Sequence, residues 1–165
     1  MKFELKAIKH SEFASHETSC FEAKLYVDGK ILCGVSNDGQ GGCDHRYSVK
    51  GSPDNIFSTL EKIDHELAKE TITCDFDDGD GNPVELDNSL ELVVGKLLTI
   101  HLIDKDIKKS LNKICYVNNG SVFTLQAKHK PTPANIEAVK KCTWWKPNSV
   151  ILNGKSVEEC RQYFK

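Results

Sequence analysis

Phe21-Glu22-Ala23-Lys24-Leu25-Tyr26-Val27-Asp28-Gly29-Lys30-Ile31-Leu32-Cys33-Gly34-Val35 decides the fold. Phe21, Ala23, Leu25 and Val27 alternate with Glu22, Lys24 and Tyr26, a period of two that puts one set on the buried face of a strand. The chain reverses at Asp28-Gly29, the residue pair favoured by a two-residue type I′ turn because both central positions need positive φ. It then returns through Lys30 to Val35, so the stretch predicts a β-hairpin. Upstream, Phe3, Leu5 and Ala7 alternate with Lys2, Glu4 and Lys6, which predicts a further half-buried strand of about seven residues. A polar link, His10 to Ser19, joins the two.

Downstream, the hairpin delivers the chain into Asn37-Asp38-Gly39-Gln40-Gly41-Gly42-Cys43-Asp44-His45. Three glycines within four residues give backbone freedom, and the polar side chains around them make this the expected binding loop. Arg46 to Lys50 reads as a short edge strand. Ser52-Pro53-Asp54 has the form of a helix start, and Ile56, Leu60, Ile63 and Leu67 mark one buried stripe of a helix over 53–69. Thr71 to Cys74 has strand character and runs into an acidic turn, Asp75 to Pro83, where glycines and proline rule out helix. From Asn88 a second helix is predicted, with Leu90, Val93, Val94, Leu97, Leu98 and His101 on a broad apolar face. Asp104 reads as an N-cap that restarts it, with Ile107 and Leu111 inward and Lys105, Lys108, Lys109 and Lys113 outward.

Asn119-Gly120, between 114–118 and 121–127, gives a second type I′ hairpin. Thr132-Pro133 opens a short helix, 149–152 is a strand, and Asn153-Gly154 turns the chain. Ser156-Val157-Glu158-Glu159 matches a capping box, which predicts a terminal helix over 157–164 with Val157, Cys160 and Phe164 inward. Two hairpins without βαβ repetition predict an α+β fold, an antiparallel sheet built from two β-hairpins packed against several helices. No linker divides the 165 residues, so one domain over 1–165 is expected.

An apolar fraction of 39% with 28% charged residues excludes a disordered chain. No apolar run approaches the length of a membrane span, and Met1 to Lys6 lacks a signal-peptide core, so a cytoplasmic protein with no membrane partner is expected. Seven cysteines at irregular spacing, with no CxxC, read as reduced, mostly buried thiols. Residues 1–104 hold 10 Lys/Arg against 20 Asp/Glu, a net −10, whereas 105–165 hold 12 against 4, a net +8. This polarity either steers a partner to one face or is neutralised when the halves pack.

The run Phe13-Ala14-Ser15-His16-Glu17-Thr18-Ser19-Cys20-Phe21-Glu22-Ala23-Lys24-Leu25-Tyr26-Val27-Asp28-Gly29-Lys30, continued by Val35-Ser36-Asn37-Asp38-Gly39-Gln40-Gly41-Gly42, resembles the opening of a family of small proteins from bacteria, prophages and plasmids. The ending, Val150-Ile151-Leu152-Asn153 followed by Glu158-Glu159, is similar to theirs. The resemblance implies a phage or mobile-element context and carries no mechanism with it.

The glycine loop lacks the spacing of a P-loop and of a dinucleotide fingerprint, which leaves an anion cradle of backbone N–H groups or a plain connection. Cys43, Asp44 and His45 offer a thiolate, an acid and a base, though adjacent residues seldom converge on one substrate atom. Cys33, Cys43 and His45 lack zinc-site spacing, and Asp75, Asp77, Asp78, Asp80 and Asn82 fail the calcium-loop pattern, so neither metal nor cofactor is expected. Lysines at 105, 108, 109, 113, 128, 130, 140, 141 and 146, with His129 and beside Trp144-Trp145, pair cations with stacking surfaces. If extended, the two tryptophans face opposite ways, one free to anchor a partner.

The leading expectation is a small cytosolic, non-enzymatic binding protein of a phage or mobile element. It engages a host protein, as a counter-defence inhibitor would, or sequesters a small anionic ligand. The expected contacts are Asn37, Asp38, Gly39, Gly41, Gly42, His45, Trp144 and Trp145. The alternatives are a hydrolase or transferase using Asp38, Cys43 and His45, and nucleic-acid binding through the basic C-terminal third.

Overall fold

The computed structural model describes residues 1–126 and 130–164. Lys128, His129 and the end of the strand expected over 121–127 lie outside the described residues, as does the side chain of Asp75. Among the described residues the fold is α+β, with antiparallel strands in sheets of four, two and three, and four helices. The chain divides into two compact units, 1–98 and 99–165.

The first unit holds a sheet in the order β1 (Phe3–Ser11), β2 (Cys20–Val27), β3 (Lys30–Asn37), β4 (His45–Tyr47). The Asp28-Gly29 turn has φ of 48° and 80°, as a type I′ hairpin requires. Phe21, Ala23, Leu25, Cys33 and Val35 point to the buried face. A bulge follows Leu25, where Tyr26 pairs with Ile31, so Leu32 and Cys33 are both buried. β1 outruns its expected length because a second bulge between Lys6 and Lys9, with Ala7 at φ 52°, resets the alternation; Ala7 is exposed rather than inward.

The first helix, α1 (Ile56–Leu67), buries the expected stripe of Ile56, Leu60, Ile63 and Leu67. Ser52 does not cap it. Its hydroxyl accepts from the Val49 amide and its own amide donates to the Val49 carbonyl, closing a turn, and α1 begins after Asn55 with no side-chain cap. The acidic stretch is a third hairpin, β5 (Thr71–Asp77) with β6 (Pro83–Asp87).

The helix α2 (Leu90–Leu111) runs unbroken, and the division between units falls inside it. Asp104 is therefore mid-helix rather than a cap, and His101 is exposed rather than part of the apolar face. The second unit continues with β7 (Cys115–Asn118), β8 (Ser121–Thr124), α3 (Pro133–Lys140), β9 (Val150–Ile151) and α4 (Val157–Arg161). The turn residues Asn119 and Gly120 have φ of 49° and 77°. Its sheet, in the order β8-β7-β9, buries Cys115, Val117 and Val122 against Ile103, Ile107 and Leu111 of α2 and Cys160 of α4. Both halves of the capping box form: Glu159 N–H donates to Ser156 Oγ at 3.2 Å and Ser156 N–H to Glu159 Oε2 at 2.7 Å. α4 stops at Arg161, short of the expected end, yet Phe164 still packs on the cluster.

Among the described residues no helix is long and apolar enough to cross a membrane. All seven cysteines are free thiols.

Candidate functional site

The inward alternation of β3 carries Cys33, Val35 and finally Asn37 into the interior, and a buried carboxamide must find partners for both its ends. Asn37 Oδ1 accepts from Thr18 Oγ1 at 2.6 Å and from the Gly39 amide at 2.9 Å. Its Nδ2 donates to the Gly42 carbonyl and to Asp44 Oδ1, both at 3.2 Å. One side chain thus fixes both ends of the glycine loop. Asp38 Oδ1 accepts from the Gln40 amide at 3.1 Å, and Thr18 Oγ1 accepts from the Gly41 amide at 3.3 Å.

The link between β1 and β2 braces the loop from the other side. His16 and Glu17 donate their amides to the Gly39 carbonyl at 2.9 and 3.0 Å. Ser15 Oγ donates to the Ser11 carbonyl and accepts from the Cys20 amide, both at 2.8 Å, which folds the link back on itself. A side chain at Gly39, which has φ 85°, would run into the Ala14 carbonyl. Gly42, with φ 82°, has open space where a Cβ would stand.

The loop is consequently rigid, and its amides at 39, 40 and 41 are spent on oxygens of the chain itself. They are not presented to an anion, so the cradle expected from the glycines is closed at these three positions. Asp38, Gln40, Cys43 and His45 face outward instead. Beside them the link exposes Phe13, whose relative exposure is 95%.

Among the described residues no hydrogen bond joins Cys43, Asp44 and His45 to one another; Asp44 is held by Asn37. Burial pushes the Asp44 carboxyl above its ordinary value and the charge of Glu91 adds to this, while the Asn37 hydrogen bond and the Arg46 and His45 charges oppose it. Cys33 is fully buried, which pushes its thiol up to about 11, whereas Cys43 is exposed. Among the described residues no group of three or more His, Cys, Asp or Glu is placed to hold a metal ion. Asp78, in the acidic loop, turns its carboxylate inward to the amides of Asp80 and Asn82 and to Asn82 Nδ2.

Behind the loop, Arg46 reaches from β4 to Asp64 of α1 at 3.1 Å, and the other oxygen of Asp64 accepts the Leu90 amide at 2.7 Å, capping α2 from a distance. Asp64 thereby ties a strand and two helix segments of the first unit together.

The two tryptophans belong to the second unit, and they do not diverge. The Trp145 amide bonds the Cys142 carbonyl in a turn, and both rings come to Tyr116, with centroids 5.3 Å away for Trp144 and 5.8 Å for Trp145. Phe123 stacks on the same tyrosine at 5.6 Å. The eight expected contact residues thus fall into two groups, one in each unit.

Four residues enter these groups without a sequence signal of their own. Thr18 and Phe13 lie in the polar link, where a lone aromatic among polar residues was the available hint. Tyr116 and Phe123 lie in the second hairpin and read there as ordinary strand residues. No family model, no curated protein and no solved structure matches the chain.

Proposed function

We propose that the chain is a small cytosolic, non-enzymatic binding protein of a phage or mobile element that engages a host protein as an inhibitor. The observation that carries this reading is Phe13, an aromatic ring 95% exposed beside a loop locked by internal hydrogen bonds. Aromatic side chains dominate binding energy at protein interfaces, and a preorganised frame spares the entropy of ordering on contact. Residues 1–98 hold 10 Lys/Arg against 19 Asp/Glu, a net −9, so the partner surface is basic. Asp38 and His45 supply the polar rim. A protein partner fits better than a small anion, because the amides an anion would want are already bonded. The mobile-element context rests on the resemblance of residues 13–30 and 35–42 and of the C-terminal segment.

The test is capture from a bacterial host lysate on immobilised chain, followed by affinity measurement with the captured protein. A discrete partner is expected, and Phe13→Ala should weaken it about 30-fold, the loss of a 2 kcal/mol anchor, while the melting temperature stays unchanged. Capture of nothing, or equal affinity for Phe13→Ala, overturns the reading.

A further inference from the structure

We propose that residues 99–165 bind single-stranded nucleic acid across the edge of β8, with bases stacking on Phe123 and Trp144 and phosphates held by Lys109 and Lys113. The site is independent of the glycine loop and lies wholly within the second unit.

The three-stranded sheet has two unlike faces. Cross-strand pairs share a face, so Cys115 with Thr124 and Val117 with Val122 lie on one side, and Tyr116 with Phe123 on the other. The first side carries the apolar cluster with Ile107, Leu152 and Cys160. The second carries aromatic rings only partly removed from water: Tyr116 is 8% exposed and forms the floor, while Phe123 at 45% and Trp144 at 41% stand open above it. Flat ring faces of this kind stack with any nucleobase, since every base has a π-face.

β8 is an edge strand, and the residues flanking Phe123 turn to its other side. There Val122 and Thr124 line a cleft of about 400 Å³ with Lys109 and Ser110 from the last turns of α2 and Lys113 from the turn that follows it; its carboxylate is Asp106. Lys113 lies two residues past the end of α2, where its amide donates to the Ser110 carbonyl at 3.0 Å, and it lines the same cleft as Lys109. A strand crossing this edge meets ring faces on one side and ammonium groups with hydroxyls on the other, the pairing that single-strand binders use.

Charge selects the occupant. Residues 99–165 hold 12 Lys/Arg against 5 Asp/Glu, a net +7. Of the ten described cations in this unit, only Lys140 and Arg161 are in ion pairs. Lys141 and Lys146, both exposed, bracket the tryptophan pair in the chain. Lysine rather than arginine dominates, which favours phosphate contacts over base-edge readout, so binding is sequence-tolerant.

The experiment is fluorescence anisotropy of a labelled oligothymidylate of about twelve nucleotides, titrated with the full chain at about 50 mM and 200 mM salt. Binding is expected at the lower salt and should weaken steeply at the higher. Trp144→Ala should lose about tenfold in affinity, with Trp144→Phe retaining most of it. The double variant Lys109→Ala with Lys113→Ala should reduce the slope of log affinity against log salt by about 1.4, two phosphate contacts at 0.7 each. Phe13→Ala should bind the oligonucleotide unchanged, which separates this site from the protein-binding surface. No anisotropy change at 50 mM salt overturns the proposal, as does equal binding by the Trp144→Ala and double-lysine variants. Competition by polyglutamate as effective as that by unlabelled oligonucleotide overturns it as well, since the face would then be one for acidic peptides.

Discussion

Residues 1–98 and 99–165 carry opposite charge, −9 and +7, and they also use their polar groups in opposite ways. In the first unit the conspicuous polar residues are absorbed by the fold: Asn37 makes four hydrogen bonds to hold the glycine loop, and Asp64 joins β4, α1 and the start of α2. What remains for a partner beside the loop is a polar rim and the exposed ring of Phe13. In the second unit eight of the ten described cations lie outside any ion pair among the described residues, and one sheet face carries partly exposed aromatic rings. A dense polar motif can thus be scaffolding, while scattered lysines form the freer surface.

The largest test of this contrast removes core volume from one unit at a time. Leu25 in the first unit and Leu152 in the second are both fully buried, and truncation of either to alanine should cost about 2–5 kcal/mol. Both tryptophans lie in the second unit, so their emission reports it selectively. Leu152→Ala should lower the melting midpoint seen by tryptophan emission, while Leu25→Ala should lower the midpoint seen by far-ultraviolet dichroism more than that seen by emission. Equal shifts in both probes for both variants would break the contrast and make the units one cooperative body.

A smaller effect separates frame from rim within the glycine loop. Gly39→Ala must hold an L-residue at φ 85° and displace the Ala14 carbonyl, and about 3 kcal/mol of destabilisation is expected. Gly42→Ala bears the backbone strain alone, about 1 kcal/mol, because nothing lies within 4 Å of the new methyl. Urea midpoints of the two variants decide it. Equal losses would mean that the brace from residues 14–18 yields easily and that the loop is less fixed than its hydrogen bonds imply.

These contrasts mark where sequence reading reaches its limit. The hairpins at Asp28-Gly29 and Asn119-Gly120, the α1 stripe and the Ser156 capping box were legible because each is decided by residues within a few positions of one another. The β5–β6 hairpin was hidden by a turn of aspartates that disfavour strands, although Asp78 organises that turn by local hydrogen bonds. Asp104 looked like a cap because its partner, Arg161, lies 57 positions away and bonds it at 2.7 and 2.8 Å. Likewise the glycine loop draws its brace from Thr18, 19 residues before Asn37, which neither period nor spacing reveals.

The smallest expected effect sets two aspartates, Asp104 and Asp44, against each other. Asp104 has its carboxyl held below the ordinary 3.8 by the Arg161 hydrogen bonds, so it contributes stability above that value, lost as pH falls through the depressed one. Asp44 runs the other way. Burial first, and then the charge of Glu91, raise its value above 3.8, so the folded chain binds this proton more tightly than the unfolded chain. Stability therefore falls as pH rises from 3.8 through the raised value, and the deficit stays constant above it. Asp44→Asn keeps an oxygen to accept from Asn37 Nδ2 and removes the half-buried charge. It should raise the melting temperature by about 1–2 °C at pH 7 and leave it unchanged near pH 3, whereas Asp104→Asn should lower it at pH 7. A loss of stability at pH 7 in Asp44→Asn would show that attraction to Arg46 outweighs burial at the foot of the loop, and that the first unit depends on this charge as the second depends on Asp104.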